Sequence, residues 1–269
     1  MNERADEAPA AVPSEGAATS KLELIMGAEG LERLAGSCVM VLGLGGVGSN
    51  CAEALARGGV GRLVVLDHDV VSESNINRQA IAFESTIGRK KTEVMAAMIA
   101  DINPAIEVEP LDHFLFPEEV GELLDGWRGR VDFVVDALDS ISVKLALAEY
   151  ADREGVRLIS SMGAANKLHP ECLRLADVYD TVNCPMCRIM RKEGRKRGIK
   201  HLQVLYSCEH AVEVPSRAGA ARRERSNLGT ASYMPAIMGQ TIAGAVIREL
   251  AGLEGEGGAP GAPAGGARA

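Results

Sequence analysis

The sequence predicts an α/β fold, a mostly parallel twisted sheet with helices on both faces, and three observations carry that reading. Apolar, β-branched runs of strand length alternate with segments of helical periodicity between residues 37 and 163. A glycine turn, Gly43-Leu44-Gly45-Gly46-Val47-Gly48, joins the first strand run to the helix after it. The next strand run ends in an acid, Asp67. Such alternation puts the crossovers on the sheet faces and the ligands outside the carboxyl ends of the strands.

Taken in order, the first twenty residues are polar, rich in Ala, Pro and Glu, and carry no apolar leader segment. LELIMGAEGLERLAGS (22–37) reads as one or two short helices leading into the strand SCVMV (37–41). At the turn that follows, glycines let the backbone approach a phosphate. The unpaired N–H groups that open the helix SNCAEALARGG (49–59) attract its charge. RLVVLD (62–67) sets Asp67 where a carboxylate can hydrogen-bond ribose hydroxyls. This is a Rossmann-like nucleotide-binding opening, shared by nicotinamide enzymes and ATP users.

DHDVVSESNINRQAIAF (67–83) reads as a loop, IGRKKTEVMAAMIADINP (87–104) as a helix stopped by Asn-Pro, and IEVEPL (106–111) as a strand. PEEVGELLDG (117–126) is a short helix, and VDFVVDALDS (131–140) a buried strand ending in Asp136 and Asp139. VKLALAEYADREG (143–155) is a helix and VRLISSMG (156–163) a strand. Beyond them the alternation lapses into a smaller mixed-strand extension: ECLRLADV (171–178) and HLQVLYS (201–207), with a basic segment between. RAGAARRERSNLG (217–229) reads as a mobile basic loop. TASYMPAIMGQTIAGAVIREL (230–250) reads as a C-terminal helix, buried or at an interface rather than in a membrane because Pro235, Gln240 and small residues interrupt it. The expected organisation is a disordered arm over 1–20, one domain over 21–250 with an insert at about 180–229, and a disordered Gly/Ala/Pro tail over 251–269.

A chain of 269 residues, 46% hydrophobic, has enough apolar material for one large α/β core, and its net charge of −8 argues against a protein that coats nucleic acid. Six cysteines form no disulfide framework, and Cys38 and Cys51 fall where core packing is expected. With no leader segment, the protein reads as cytoplasmic.

The loop SNINRQ (74–79) separates the ATP reading from the nicotinamide one. Hydride transfer has little need of clustered Asn, Arg and Gln beside the ribose-binding acid, whereas cleavage between the α- and β-phosphates does. Arg78 can make two parallel hydrogen bonds to phosphate oxygens, and Lys91 adds a compact charge from the start of the next helix. Asp139 can hold magnesium shared with the phosphates. Taken singly, Arg78 reads equally well as a surface ion pair, Lys91 as a solvated lysine and Asp139 as a helix cap. Their common placement around one glycine turn favours the chemistry.

GLGGVGSN, LDHDVVSESNINRQ, GRKKTEVM and DALDS, in this order, resemble the ubiquitin-activating-enzyme-like (ThiF-type) adenylating superfamily. SSMGAANKLHP, LADVYDTVNCP and MRKEGRKRGIKHLQVLYS resemble the tRNA threonylcarbamoyladenosine dehydratases within it. The resemblance implies a cofactor site for ATP and magnesium. In it Gly43, Gly45, Gly46 and Gly48 meet the nucleotide, Asp67 the ribose, and Ser74, Asn75, Asn77 and Arg78 the phosphates. Lys91 neutralises the triphosphate, and Asp139 holds the metal. The reaction implied is ATP-dependent cyclisation: a threonyl carboxylate on a tRNA adenosine becomes an acyl-adenylate, and a ureido nitrogen of the same group displaces AMP. The alternative is an adenylyltransferase acting on the C-terminal glycine of a ubiquitin-like sulfur carrier. A nicotinamide-dependent oxidoreductase and a non-catalytic RNA-binding module are more distant readings. The resemblance also implies a homodimer, and a sulfur-transfer or cysteine-desulfurase partner is a further expectation. Two positions depart from the family pattern: Lys21 stands where an arginine usually reaches the neighbouring subunit's site, and Thr230 where some relatives carry a cysteine.

Cys184-Pro-Met-Cys187 is one CxxC pair where sulfur-carrier activators hold zinc with two. Cys208 and His210 complete no recognisable set with it, so Cys184 and Cys187 read as packing or loop cysteines ahead of zinc ligands or a redox pair. Arg188, Arg191, Lys192, Arg195, Lys196, Arg197 and Lys200 face one acid, Glu193, and Arg217, Arg222, Arg223 and Arg225 follow. On an acidic protein this cluster makes a local positive field suited to an RNA backbone. Scarce aromatic residues point to phosphate contacts rather than base stacking.

Overall fold

The computed structural model describes residues 19–214 and 228–253. Most of the expected arm and tail, and the basic loop carrying Arg217, Arg222, Arg223 and Arg225, lie outside the described residues. In chain order the elements are α1 (Ser20–Ala35), β1 (Cys38–Leu42), α2 (Gly46–Arg57), β2 (Arg62–Asp67), α3 (Lys91–Ile102), β3 (Glu107–Asp112) and α4 (Val120–Gly126). They continue with β4 (Phe133–Asp136), α5 (Ile141–Glu154), β5 (Leu158–Ser161), β6 (Leu173–Asp177), α6 (Pro185–Arg197), β7 (Gln203–Ser207) and α7 (Tyr233–Ala251).

All seven strands form one sheet, ordered β3-β2-β1-β4-β5-β7-β6. Every pair is parallel except β6 with β7. The expected extension is therefore the edge of the main sheet: β7 pairs parallel with β5, Ser160 opposite Val204, and β6 folds back antiparallel along it. The basic segment between them is the helix α6. Strand order reverses at β1, with β2 and β3 to one side and β4 and β5 to the other. Such a switch point leaves a crevice outside the carboxyl ends of β1 and β4.

Period-two alternation sends successive side chains to opposite faces. Val39, Val41, Leu63, Val65 and Val135 pack under residues of α2, α3 and α7. Met40, Leu42, Val64, Leu66 and Val134 pack under residues of α4, α5 and α6. Both faces are covered, which explains why the central strands are apolar throughout. α7 is apolar because it buries Met234, Met238, Ile242, Val246 and Leu250. Among the described residues no helix is long and apolar enough to cross a membrane. α1 is kinked at Gly27, whose φ of 71° breaks the run into the two short helices its sequence suggests.

Candidate active site

The switch-point crevice has a volume of about 880 Å³, and Gly43, Gly45, Gly46, Asp67, Arg78, Lys91 and Asp139 all line it. The glycine turn is built by steric demand. Gly43 has φ +91°, and a Cβ there would lie 2.9 Å from the Ala137 carbonyl oxygen. A Cβ on Gly48 would lie 1.7 Å from the Gly43 carbonyl oxygen, so the first turn of α2 crosses the end of β1 with no room for a side chain. A Cβ on Gly46 would meet the Pro235 ring of α7 at 2.8 Å, whereas one on Gly45 would meet nothing within 4 Å. The turn thus leaves Gly45 open beside the N–H groups that begin α2, which have no partner within their own helix.

Asp67 is buried at the end of β2, where its Oδ2 accepts the Leu44 N–H at 2.7 Å and its Oδ1 accepts the Asp69 N–H at 2.9 Å. It fastens the turn to the next strand and still faces the crevice, where its remaining lone pairs can accept ribose hydroxyls. Lys91 opens α3 with its side chain buried, its Nζ 2.9 Å from Asp69 Oδ2 and 3.8 Å from Asp67 Oδ2. Burial raises the Asp69 pKa, but the hydrogen bond and charge of Lys91 outweigh that and hold it below the usual carboxylate value.

Arg78 is held from behind. Its Nη1 donates to the Ser74 carbonyl at 2.7 Å and to Asn77 Oδ1 at 2.9 Å. Asn77 Nδ2 donates to the Thr230 carbonyl at 3.2 Å, tying the loop to the approach of α7. Asn75 is buried, and its Oδ1 accepts the Ser72 N–H at 3.1 Å, closing a short turn at Glu73–Asn75. Ser74 Oγ lies 3.0 Å from Ser72 Oγ. Of the residues expected to meet the nucleotide, Gly48, Ser74, Asn75 and Asn77 are not among those that line the crevice. Gly48 is taken up by the strand–helix crossing, Asn75 closes the 73–75 turn, and the Ser74 carbonyl and Asn77 side chain hold Arg78.

Asp139 lies on the loop between β4 and α5, and Ser140, not Asp139, is the N-cap position of that helix. Asp139 lines the crevice, and a carboxylate there fits magnesium, which takes one or two carboxylates and completes its shell with phosphate oxygens and water. Asp67, His68 and Asp69 also bring ligand atoms within 4.8 Å of one another; there Asp67 accepts backbone N–H groups and Asp69 accepts from Lys91.

The crevice has a second wall, formed by His68, His113, Phe114 and Leu115. The His68 and Phe114 rings meet edge-on with centroids 4.6 Å apart, and Phe116 lies 4.8 Å beyond Phe114. No sequence pattern marks these residues, but each follows the carboxyl end of β2 or β3, the signal that could have found them.

Six of the seven predicted RNA-binding residues are exposed: Arg188, Lys192, Arg195, Lys196, Arg197 and Lys200. Arg195 lies over the Tyr179 ring at 5.1 Å, Lys196 pairs with Glu193 at 2.8 Å, and Arg197 pairs with Glu149 at 3.0 Å. Arg191 differs. It is half-buried and donates to the Thr181 carbonyl at 2.9 Å and to the Thr181 hydroxyl, so it braces the 178–181 turn. Cys184 and Cys187 are buried in the core face beneath α6, and Cys184 Sγ caps that helix by accepting the Cys187 N–H at 3.4 Å. The Cys187 thiol and these helix-start N–H groups draw the Cys184 pKa down to about 6 against the effect of burial.

Residues 18–261 match the ThiF family. The chain is 40% identical over 240 residues to the tRNA threonylcarbamoyladenosine dehydratase of Bacillus subtilis, an alignment covering 86% of this chain and 93% of that protein. It is 35% identical over 140 residues to the molybdopterin-synthase adenylyltransferase of Escherichia coli, covering 52% of this chain and 54% of that one. Among solved structures it is similar to E. coli tRNA N6-threonylcarbamoyladenosine dehydratase, TcdA, in complexes with AMP and with ATP. The TM-score is 0.77 at 28% identity, over 88% of this chain and 95% of that one. With a glycine turn, a strand-end acid and a cationic loop around one switch-point crevice, and a family match over nearly the whole length, the chain belongs to the ThiF family.

Proposed function

We propose that this protein is an ATP-dependent tRNA threonylcarbamoyladenosine dehydratase. The observation that carries the proposal is the convergence of Arg78, Lys91 and Asp139 on one crevice beside the open Gly45, in a chain alignable with a dehydratase along almost its whole length. The alignment with the molybdopterin-synthase adenylyltransferase covers only 52% of this chain, against 86% for the dehydratase.

ATP is a substrate here. The threonyl carboxylate of the modified adenosine attacks the α-phosphorus, a P–O bond forms, and the bond to pyrophosphate breaks. A ureido nitrogen of the same nucleoside then attacks the activated carbonyl, AMP leaves with the bonding pair, and the nitrogen's proton passes to solvent. The nucleoside has lost the elements of water. Both reacting groups sit on one nucleoside, so proximity drives closure without a protein nucleophile. Arg78, fixed by Ser74 and Asn77, offers its remaining N–H groups to the phosphates. Lys91 places its charge at the crevice floor, and the glycine turn presents backbone N–H groups. Asp139 would hold magnesium, which supplies charge neutralisation as pyrophosphate departs.

The exposed cations of α6 give the tRNA backbone a positive face, with Arg191 bracing it from within. The protein acts in the cytoplasm, where its tRNA substrate is found, and as a homodimer. A sulfur-transfer or cysteine-desulfurase partner belongs to the same proposal. Incubation with ATP, magnesium and threonylcarbamoyl-modified tRNA tests the central claim: the nucleoside mass falls by that of one water. Pyrophosphate exchange that depends instead on a Gly-Gly-ended carrier protein would move the chain to the adenylyltransferases.

A further inference from the structure

Beneath the crevice, at the ends of β4 and β5, lies a fully buried ion pair that the chemistry above does not use. The side chains of Lys144 and Asp136 have no solvent exposure, and Lys144 Nζ lies 3.0 Å from Asp136 Oδ2. The ammonium also donates to the Ser161 carbonyl at 2.8 Å and lies 3.3 Å from Ser160 Oγ. Ser160 Oγ donates to Asp136 Oδ2 at 2.6 Å, and Asp136 Oδ1 accepts the Leu138 N–H at 3.1 Å. Both carboxylate oxygens and the ammonium of the pair are therefore engaged.

A buried ion pair is weak as a stabilising device, since apolar residues of the same volume often serve as well or better. Its worth lies in fixing geometry, and here the geometry fixed is specific. Asp136 ends β4, Ser160 and Ser161 end β5, and Lys144 stands in the first turn of α5. Between Asp136 and that turn runs Ala137–Ser140, which lines the crevice and carries Asp139. One end of this loop is fixed by the Ala137 N–H on the Leu42 carbonyl at 2.8 Å, and its course by the Leu138 N–H on Asp136. The same segment passes under Gly43 so closely that a Cβ there would strike the Ala137 carbonyl.

We infer that Lys144, through Asp136 and Ser160, is a positioning residue that sets the Ala137–Ser140 loop so that Asp139 meets the metal-bound phosphates of ATP. The inference rests on the functional reading above and adds a residue to it. Lys144 touches no substrate. It acts on the metal site through the backbone, as partners behind metal ligands do elsewhere.

The test measures manganese binding in the presence of α,β-methylene ATP, by electron paramagnetic resonance, for the wild type, Lys144→Met, Lys144→Arg and Ser160→Ala. Lys144→Met is expected to weaken manganese affinity about tenfold. The magnesium concentration for half-maximal ATP–pyrophosphate exchange rises by the same factor, with the KM for tRNA unchanged. Lys144→Arg restores part of the loss, and Ser160→Ala, which removes one strut, moves in the same direction by less. A merely structural lysine would lower the melting temperature and leave metal affinity alone, and that result in folded Lys144→Met overturns the inference. Should Lys144→Met fail to fold, Ser160→Ala decides, with wild-type manganese affinity counting against the inference. A wild-type protein that binds neither the analogue nor manganese overturns the functional reading itself, and the role of Lys144 falls with it.

Discussion

Asp67 and Leu44 are joined across the top of the sheet: the carboxylate at the end of β2 accepts the buried Leu44 N–H of the glycine turn at 2.7 Å. Asp67 is thus a strut of the phosphate turn as well as a candidate ribose ligand. Asp67→Ala should lower ATP affinity at least about tenfold and also destabilise the fold by about 1–3 kcal/mol, because it leaves a buried N–H unsatisfied. Calorimetry and thermal melting read the two effects. A loss of affinity at unchanged melting temperature would leave only the ribose role.

Gly48 and Gly45 should separate packing from ligand approach. Gly48→Ala forces a methyl group to within 1.7 Å of the Gly43 carbonyl oxygen, so the crossing must open and the melting temperature fall by several degrees. Gly45→Ala meets no protein atom within 4 Å and should melt like the wild type while binding ATP more weakly. Equal stability of both variants contradicts this.

Arg78→Ala and Asp139→Ala should each abolish ring closure while leaving tRNA affinity close to wild type. Arg78→Lys keeps the charge but loses the planar fork that Ser74 and Asn77 orient, and should rescue only a small part of the rate. Single-turnover assays and filter binding measure both sides. Near-wild-type turnover in either alanine variant removes that residue from the site.

On α6 and just beyond it, Lys192→Gln, Lys196→Gln and Lys200→Gln together should make the salt dependence of tRNA binding shallower. The slope falls by about one unit for each phosphate no longer neutralised, with melting unchanged. Arg191→Ala should behave oppositely, lowering the melting temperature because it supports the Thr181 turn. An unchanged slope in the triple variant takes α6 out of the RNA interface.

The Asp69–Lys91 pair gives a pH signature. A carboxylate whose pKa is depressed on folding contributes stability that is present above its unfolded value and lost as pH falls through the lower folded one. The stability margin of the wild type over Asp69→Asn should therefore close as pH drops from about 5 to about 3. Asp69 is 51% exposed, so the margin is at most about 0.5 kcal/mol even at neutral pH. A margin that widens on acidification would contradict the depressed Asp69 pKa and the dominance of Lys91 over burial.

Legibility from sequence divides along a physical line. The strands from Cys38 to Ser161, the helices between them and the crevice at their ends follow from local periodicity and from the rule that strand ends hold ligands. The place of β6 and β7 does not. Which strand a segment pairs with is a long-range property, and nothing in HLQVLYS says that it continues the sheet beside β5. The type of chemistry at Ser74, Asn75 and Asn77 is legible, but their partners are not: Ser74 bonds Ser72, Asn75 closes its own turn, and Asn77 bridges Arg78 to Thr230. Arg191 shows the same limit: the charge run is plain, yet one member faces inward. Lys144 stays hidden because a lysine in an amphipathic helix reads as solvated until the sheet is assembled over it.

The close approach of Pro235 to Gly46, where a Cβ would lie 2.8 Å from the proline ring, makes the glycine turn depend on a distant helix. The glycine turn opens α2, and the helix that walls it is α7, far away in sequence. A Cβ on Gly239 would come within 2.4 Å of the Val47 carbonyl oxygen, so α7 rests directly on the backbone of that turn. The crevice therefore has its full wall only once α7 has docked on the turn, a contact between segments far apart in sequence.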